Sequence, residues 1–178
     1  DPNSLSSDVI VSLYIDHNNQ LWIGTYYGGL NRFDGRRFYH YKNDPLDPGT
    51  LADDNVWEIF EDSQYNLWVG TLYKGLDLFD PRTQTFRHYR QGDVNSIASN
   101  YISAILEDRD GNVWIGTDNG IDVLEKQTGR FVHYGMTVNK PGALSNNLVM
   151  YLHEDELGYV WVATREGLNI FNPRTQTF

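Results

Sequence analysis

The apolar residues of the chain fall into short runs separated by polar, turn-forming segments, and this arrangement occurs four times. In each repeat an apolar run ends in an acidic residue and a polar turn follows. A second run then carries tryptophan, an aliphatic residue, a small residue and threonine. The tryptophans of these runs are spaced by 46, 46 and 47 residues and are Trp22, Trp68, Trp114 and Trp161. A period of this length is typical of propellers and solenoids.

The runs within one repeat predict four β-strands. The first strand is apolar at both phases of its alternation, as expected for a strand covered on both faces. The acids that end the first strands are Asp16, Asp62, Asp108 and Asp155. After the tryptophan strand, the chain bends into a third strand at Gly29, Gly75, Gly120 and Gly167. A fourth run, RFYHY in the first repeat, completes the unit. We therefore predict an all-β fold, a β-propeller segment of four four-stranded antiparallel blades.

Connectors rich in proline, glycine, asparagine and aspartate separate the repeats and mark the predicted blade boundaries. We predict a single propeller segment over residues 1–178, with the last blade truncated in its outer strand. The blades are approximately 5–43, 51–91, 97–134 and 144–178. An uncovered blade face would expose apolar side chains. We therefore expect self-association, or neighbouring blades of a larger ectodomain, to cover the outer faces.

The run around each tryptophan is predicted to be scaffold. Its tryptophan is interpreted as a large anchor between blades, and the acid before the turn can accept backbone N–H groups. The small residue before threonine is glycine in three copies and alanine in the fourth, namely Gly24, Gly70, Gly116 and Ala163. This substitution indicates that the position needs a small side chain, not a positive φ.

Composition excludes several classes of partner. The chain has 14 Lys and Arg against 24 Asp and Glu, so its formal net charge is −10. This charge opposes binding to nucleic acid and to anionic lipid. No apolar run has the length of a membrane helix, so we expect no membrane contact within this segment. The absence of cysteine removes thiolate nucleophiles and thiolate metal sites.

Two groups of side chains invite a metal interpretation, and each has a simpler one. His40, His88 and His133 recur at equivalent positions on outer strands, so the symmetry that repeats them also keeps them apart. The segment Asp108–Asn112 resembles the start of a calcium loop, but the later ligands are missing. We predict no metal site and no cofactor.

Catalytic residues are not predicted either. Glu61, Glu107 and Glu154 precede the turn acids and could gather near one mouth of a central channel, although we favour the interpretation that they are solvated turn acids. The chain has no nucleophile elbow of the form G-x-S-x-G. A propeller enzyme remains an alternative, because such sites can be assembled from separate blades without a local motif.

The best candidates for ligand binding are the residues between the second and third strands, where the four copies differ. Tyrosine offers a flat apolar platform with a polar edge, and amide, acid and cationic groups supply hydrogen bonds suited to sugar. These predicted ligand-binding residues are Tyr26, Tyr27, Tyr73, Lys74, Asp118, Asn119, Arg165 and Glu166. The alternative is that the tyrosines pack between blades.

The repeated pattern resembles the two-component regulator propeller repeat. The four copies are IDHNNQLWIGTYYGGLNRF, EDSQYNLWVGTLYKGLDLF, EDRDGNVWIGTDNGIDVL and EDELGYVWVATREGLNIF, and together they span essentially the whole chain. The resemblance implies a periplasmic sensor ectodomain of a hybrid two-component system, usually with rings of seven blades. It also implies recognition of nutrients, often oligosaccharides, with kinase activity carried by other parts of the protein.

From this resemblance we expect a sensory, non-catalytic propeller that binds an oligosaccharide or similar nutrient. One alternative is a protein-interaction or assembly scaffold without a small ligand. Another is a propeller lyase or hydrolase.

Overall fold

The computed structural model describes residues 3–137 and 141–178, which form antiparallel β-sheets. Asp1, Pro2 and Lys140, which belong to two of the predicted connectors, lie outside this part of the chain. The described residues contain no helix, and hence none with the length and apolar character needed to cross a bilayer.

Four sheets follow one another along the chain, each with its strands in chain order. The first contains β1 (Ile10–Ile15), β2 (Leu21–Thr25), β3 (Leu30–Phe33) and β4 (Phe38–Tyr41). The second contains β5 (Val56–Glu61), β6 (Leu67–Thr71), β7 (Leu76–Asp80) and β8 (Thr85–Tyr89). The third contains β9 (Ile102–Glu107), β10 (Val113–Thr117), β11 (Gly120–Leu124) and β12 (Phe131–Tyr134). The fourth contains β13 (Val149–Glu154), β14 (Val160–Thr164) and β15 (Gly167–Phe171). The all-β prediction with four antiparallel blades is confirmed, and the fourth blade has three strands.

The chain divides into two compact units with two sheets each, unit 1 (Asp1–Tyr89) and unit 2 (Arg90–Phe178). Each unit has its own apolar core. The core of unit 1 includes Trp22, Leu30, Val56, Val69 and Phe79, and that of unit 2 includes Trp114, Ile121, Val149, Val162 and Phe171. That residues 1–178 act as a single propeller segment stays a prediction.

Within each unit a tryptophan joins the two sheets. Trp22 of the first sheet is 3% exposed, and its ring centroid lies 5.3 Å from that of Phe79 in the second sheet. In unit 2, Trp114 lies 4.9 Å from Phe171 of the neighbouring sheet, also edge to face. Edge-to-face aromatic pairs add stabilisation beyond the area that they bury.

The acid at the end of each first strand holds both the following turn and the tryptophan. Asp62 Oδ1 accepts the backbone N–H groups of Gln64 and Asn66 at 2.9 Å, and its Oδ2 accepts the indole N–H of Trp68 at 2.9 Å. The equivalent indole bonds are Trp22 to Asp16, Trp114 to Asp108 and Trp161 to Asp155, each 2.8 Å. One carboxylate therefore satisfies the buried indole and closes the hairpin.

The glycine of the tryptophan strand lets neighbouring sheets approach closely. A Cβ atom added to Gly116 would lie 2.7 Å from Val149 Cγ1 of the next sheet, and one added to Gly24 would lie 2.8 Å from Val56 Cγ1. Ala163 lies in the fourth sheet, and among the described residues unit 2 has no further sheet after it.

We predict that Gly116→Ala lowers the free energy of unfolding of unit 2 by about 1–3 kcal/mol, because the new methyl group overpacks the contact with Val149. Urea unfolding followed by circular dichroism measures the change. Ala163→Ser, at the equivalent position without a covering sheet, is the matched control and should stay near wild type. Equal effects of the two substitutions would contradict this role for the glycine.

Candidate functional site

The segments between second and third strands lie at the same end of each sheet as the connectors between sheets. This follows from the antiparallel order of consecutive strands. We call this end the connector end, and the opposite end, with the turns β1–β2 and β3–β4 and their equivalents, the hairpin end. All eight predicted ligand-binding residues lie at the connector end.

In unit 1 the predicted tyrosines lie at the connector ends of two sheets. The ring centroids of Tyr26 and Tyr27 are 4.0 Å apart, and Tyr27 Oη donates to Tyr26 Oη at 3.2 Å. Tyr27 is 69% exposed and Tyr73 is 55% exposed, so these two rings do not pack between sheets. Tyr26 is half-buried and Lys74 is exposed. Exposed tyrosines at the end of a rigid sheet suit stacking against a ligand.

Two buried polar residues, which we did not predict, fix the backbone of these tyrosines. Asn55 Oδ1 accepts the N–H of Tyr27 at 3.2 Å, and Asp53 Oδ2 accepts the N–H of Tyr73 at 3.0 Å. Asp53 Oδ1 in turn accepts Asn55 Nδ2 at 2.8 Å. Tyr27 has φ of 65°, which is uncommon for a residue other than glycine. The sequence signal that could have pointed to these two residues is the polar run 53–55 just before β5, since buried polar groups need hydrogen-bond partners.

In unit 2 the four predicted residues are polar and exposed. Ser99 Oγ donates to Asp118 Oδ1 at 2.5 Å, and Asn119 Nδ2 lies 3.5 Å from the Ala98 carbonyl oxygen. Arg165 and Glu166 are exposed at the bend between β14 and β15. Each unit therefore carries its own group of predicted residues, with three tyrosines and a lysine in unit 1 and charged or amide groups in unit 2.

A repeated polar contact ties each connector to the third strand of its own sheet. The connector residue is serine or alanine, and its backbone N–H donates to asparagine or aspartate. The pairs are Ser6 to Asn31 at 3.1 Å, Ala52 to Asp77 at 2.8 Å, Ala98 to Asp122 at 2.9 Å and Ser145 to Asn169 at 2.9 Å. Asparagine occurs with serine because its Nδ2 donates to the serine Oγ, at 2.8 Å and 3.0 Å.

Where the third strand has aspartate, its other carboxylate oxygen binds a histidine of the fourth strand. His88 Nδ1 lies 2.6 Å from Asp77 Oδ1, and His133 Nδ1 lies 2.9 Å from Asp122 Oδ1. His40 instead donates through Nε2 to the carbonyl oxygen of Ser4 at 2.9 Å. The recurring histidines thus brace the connector end. In the part of the chain that the structure describes, no cluster of three or more His, Asp or Glu could hold a metal ion.

The acids of the first strands lie at the hairpin end and form contacts between neighbouring turns. Glu61 Oε1 lies 2.7 Å from His17 Nδ1, and Glu154 Oε1 lies 2.9 Å from Arg109 Nε. Glu107 is half-buried. Asp108 begins the segment that resembles a calcium loop. Its carboxylate already accepts the backbone N–H of Asn112 and the indole N–H of Trp114.

The Asp122–His133 pair makes a pH-dependent contribution to the stability of the fold. The hydrogen bond that His133 Nδ1 donates to the Asp122 carboxylate raises the pKa of His133, although desolvation of the ring opposes it. This contribution is fully present below the ordinary histidine value of about 6.5 and is lost as the pH rises through the higher folded pKa. We predict that Asp122→Asn lowers the pKa of His133, measured by NMR titration of the imidazole. Asp110→Asn, in the same unit but away from this pair, should leave the titration unchanged.

The model of the two-component regulator propeller family matches residues 4–27, 50–73 and 96–119. Each match runs from a connector through the tryptophan strand to the candidate binding segment. No curated protein matches the sequence.

Solved structures extend the likeness to nearly the whole chain. The extracellular domain of BT3049 from B. thetaiotaomicron, described as a hybrid two-component system, is 28% identical with a TM-score of 0.80, covering 99% of this chain and 25% of its own. The extracellular domain of BT4673 from the same organism is 24% identical with a TM-score of 0.76 and coverages of 94% and 22%. A streptogramin B lyase shares the fold at 13% identity and a TM-score of 0.68, covering 96% of this chain and 54% of the lyase. The chain spans about a quarter of the length of the two extracellular domains.

Proposed function

We propose that this chain, which belongs to the two-component regulator propeller family, is part of an extracytoplasmic, periplasmic sensor that binds a nutrient such as an oligosaccharide. The supporting observation is the 99% coverage by the extracellular domain of BT3049, a protein described as a hybrid two-component system. The chain itself supplies recognition, and any kinase activity belongs to other parts of such a system.

The connector end supplies the chemistry for a sugar. Tyr27 and Tyr73 present exposed rings on which the apolar face of a sugar ring can stack, while their backbones are fixed by buried Asn55 and Asp53. A backbone fixed in advance reduces the ordering cost of binding. Lys74 and the polar residues of unit 2 add hydrogen-bonding groups at the same ends of their sheets.

A thermal-shift screen of the chain against a library of neutral and acidic oligosaccharides tests this proposal, followed by titration calorimetry of each ligand that raises the melting temperature. We expect Tyr27→Ala and Tyr73→Ala to weaken binding about tenfold or more, as expected for lost stacking. Tyr65→Ala is the matched control, since Tyr65 is 62% exposed at the hairpin end. An equal loss in the control variant, or no binding by any sugar, would contradict the proposal.

An assembly role is the alternative favoured by the exposed sheet faces. Leu13 of β1 is 65% exposed, whereas its counterpart Ile59 is 3% exposed, and Leu168 of β15 is 62% exposed, whereas Leu76 is fully buried. Neighbouring blades or a second copy of the chain would cover such faces. Sedimentation over a range of concentrations tests self-association. A mass that stays monomeric at every concentration would exclude the second copy.

We also propose that the chain is not itself catalytic. The likeness to streptogramin B lyase rests on 13% identity and concerns the fold. Turnover of polysaccharide by the purified chain would overturn this part of the proposal.

A further inference from the structure

A cavity of about 510 Å³ lies in unit 2 at the hairpin end, between the third and fourth sheets. Trp114, Val123 and Val132 line it from the third sheet, and Phe171 lines it from the fourth. Polar side chains, including Glu125 and Gln176, surround these apolar residues. Its volume is in the usual range for small-molecule sites, and it lies away from the candidate residues of the connector end.

Unit 1 fills the equivalent space with its own side chains. In the first sheet Trp22 is opposite Arg32, and Arg32 is opposite Tyr39. The guanidinium carbon of Arg32 lies 4.5 Å from the Tyr39 ring centroid and 5.7 Å from that of Trp22. The space beside the tryptophan of unit 1 is therefore occupied by a cation held between aromatic rings.

The third sheet has the same register with smaller residues. Trp114 is opposite Val123, and Val123 is opposite Val132, so valine stands where unit 1 has Arg32 and Tyr39. An acid directly follows the third strand of both sheets: Asp34 follows β3 in unit 1, and Glu125 follows β11 in unit 2. Unit 2 thus lacks the guanidinium and retains the acid beside it.

The charged groups around the cavity differ in how far they are already paired. Arg109 donates to Glu154 Oε1 at 2.9 Å and to the Asp155 carbonyl oxygen at 2.8 Å. Asp108 is bound to the Trp114 indole. Glu125 accepts one bond from Thr128 Oγ1 at 2.7 Å through Oε2, and the exposed Asp110 lies on the rim.

Neutral polar groups complete the lining. Within residues 3–137 and 141–178, Tyr134 Oη and the side chain of Gln176 have no hydrogen-bond partner. In unit 1 the equivalent pair is joined, Tyr41 Oη donating to Gln84 Oε1 at 2.6 Å. The cavity therefore offers an acid, an amide and a phenol to a ligand, with carboxylates in excess over cations.

We propose that this cavity binds a small organic cation with a guanidinium or amine group, which takes the place that Arg32 fills in unit 1. Glu125 and Asp110 supply negative charge, while Tyr134 and Phe171 provide an aromatic wall. The carboxylate excess disfavours anionic ligands such as phosphates and uronic acids. Lys126, which lies beside Gly111, and Arg109, which is paired with Glu154, are the nearby cations.

The test compares two probes that differ in one group. Both probes are acetylated at the α-amine, so the guanidinium is the only cationic group of L-argininamide, and L-citrullinamide carries an uncharged urea in its place on the same stem. Backbone amide shifts of Val123, Glu125 and Val132 in the full 178-residue chain report occupancy by NMR. We expect saturable shifts with argininamide and about tenfold or weaker binding of citrullinamide, because a charge-assisted hydrogen bond is lost. Equal binding of the two probes, or saturation by glucose but not by argininamide, overturns the assignment to a cation.

Variants in both units locate the site. Glu125→Gln should weaken argininamide binding about tenfold, whereas Asp34→Asn, at the equivalent position of unit 1, should leave it unchanged. The double substitution Val123→Arg and Val132→Tyr rebuilds the filled row of unit 1 and should abolish binding. The reciprocal pair Arg32→Val and Tyr39→Val should create a second site in unit 1. Unchanged binding in the filled variant, with its fold verified by circular dichroism, would overturn the proposal, and so would unchanged binding in Glu125→Gln.

Discussion

Replacement of Trp114 by alanine is expected to lower the free energy of unfolding of unit 2 by about 3–5 kcal/mol. Trp114 is 3% exposed, and its ring packs edge to face on Phe171 of the neighbouring sheet. Alanine leaves a cavity between the two sheets and removes the indole donor that Asp108 accepts at 2.8 Å. Urea unfolding followed by far-ultraviolet circular dichroism measures the loss without depending on tryptophan fluorescence.

Trp161 provides the matched control for this substitution. It occupies the same place in the repeat and makes the same bond to its acid, Asp155. It is only half-buried, and within the described residues unit 2 has no further sheet after the fourth to pack over it. Trp161→Ala should therefore cost clearly less than Trp114→Ala. Similar losses in the two variants would show that contact between sheets is not the main contribution of the tryptophan.

Replacement of Glu58 by glutamine is expected to stabilise the chain by about 3 kcal/mol at pH 8. Burial raises the pKa of Glu58 from its ordinary value to about 7. Glu58 lies opposite Gly70, at a position where the other copies carry the uncharged residues Ser12, Ala104 and Tyr151. A half-buried acid at a position where the other three copies have uncharged side chains is costly to ionise.

The direction of the pH dependence follows from the raised pKa of Glu58. The folded chain binds this proton more tightly than the unfolded chain, so the contribution of Glu58 to stability falls as the pH rises from about 4.5 to about 7. The difference between Glu58→Gln and wild type should be close to zero at pH 4 and reach its full value above pH 7. Urea unfolding at pH 4, 6 and 8 measures it. A difference that does not change with pH would show that Glu58 ionises normally in the fold.

The two ends of the sheets differ in how closely the four copies agree. The bond between acid and tryptophan occurs in all four copies. The side chains that follow the tryptophan strand differ between copies, from paired tyrosines in unit 1 to Asp118 and Arg165 in unit 2. The valine pair of unit 2 shows that variation also reaches the hairpin end, where a cavity replaces the row of Arg32 and Tyr39.

Local pattern and repetition were enough to predict the sheets. Alternation, glycine bends and polar turns act over a few residues, so the strands and their antiparallel order could be predicted, and the structure confirms them. The equivalent position is glycine in three copies, as at Gly116, and alanine in the fourth, at Ala163. This comparison indicated that the position needs a small side chain. The four similar copies also indicated a likeness to the two-component regulator propeller family, whose model matches three of them.

Contacts between residues far apart in the chain were decided only by the tertiary structure. Asn55 and Asp53 hold the backbones of Tyr27 and Tyr73 across 28 and 20 residues, and no local rule pairs these groups. The cavity beside Trp114 depends on three strands in register and on the size of two valines, which become informative only beside Arg32 and Tyr39. Sequence determined the repeated scaffold because it is built from short-range geometry. Packing decided where that scaffold leaves space, because volume and charge balance depend on all the side chains that surround a point.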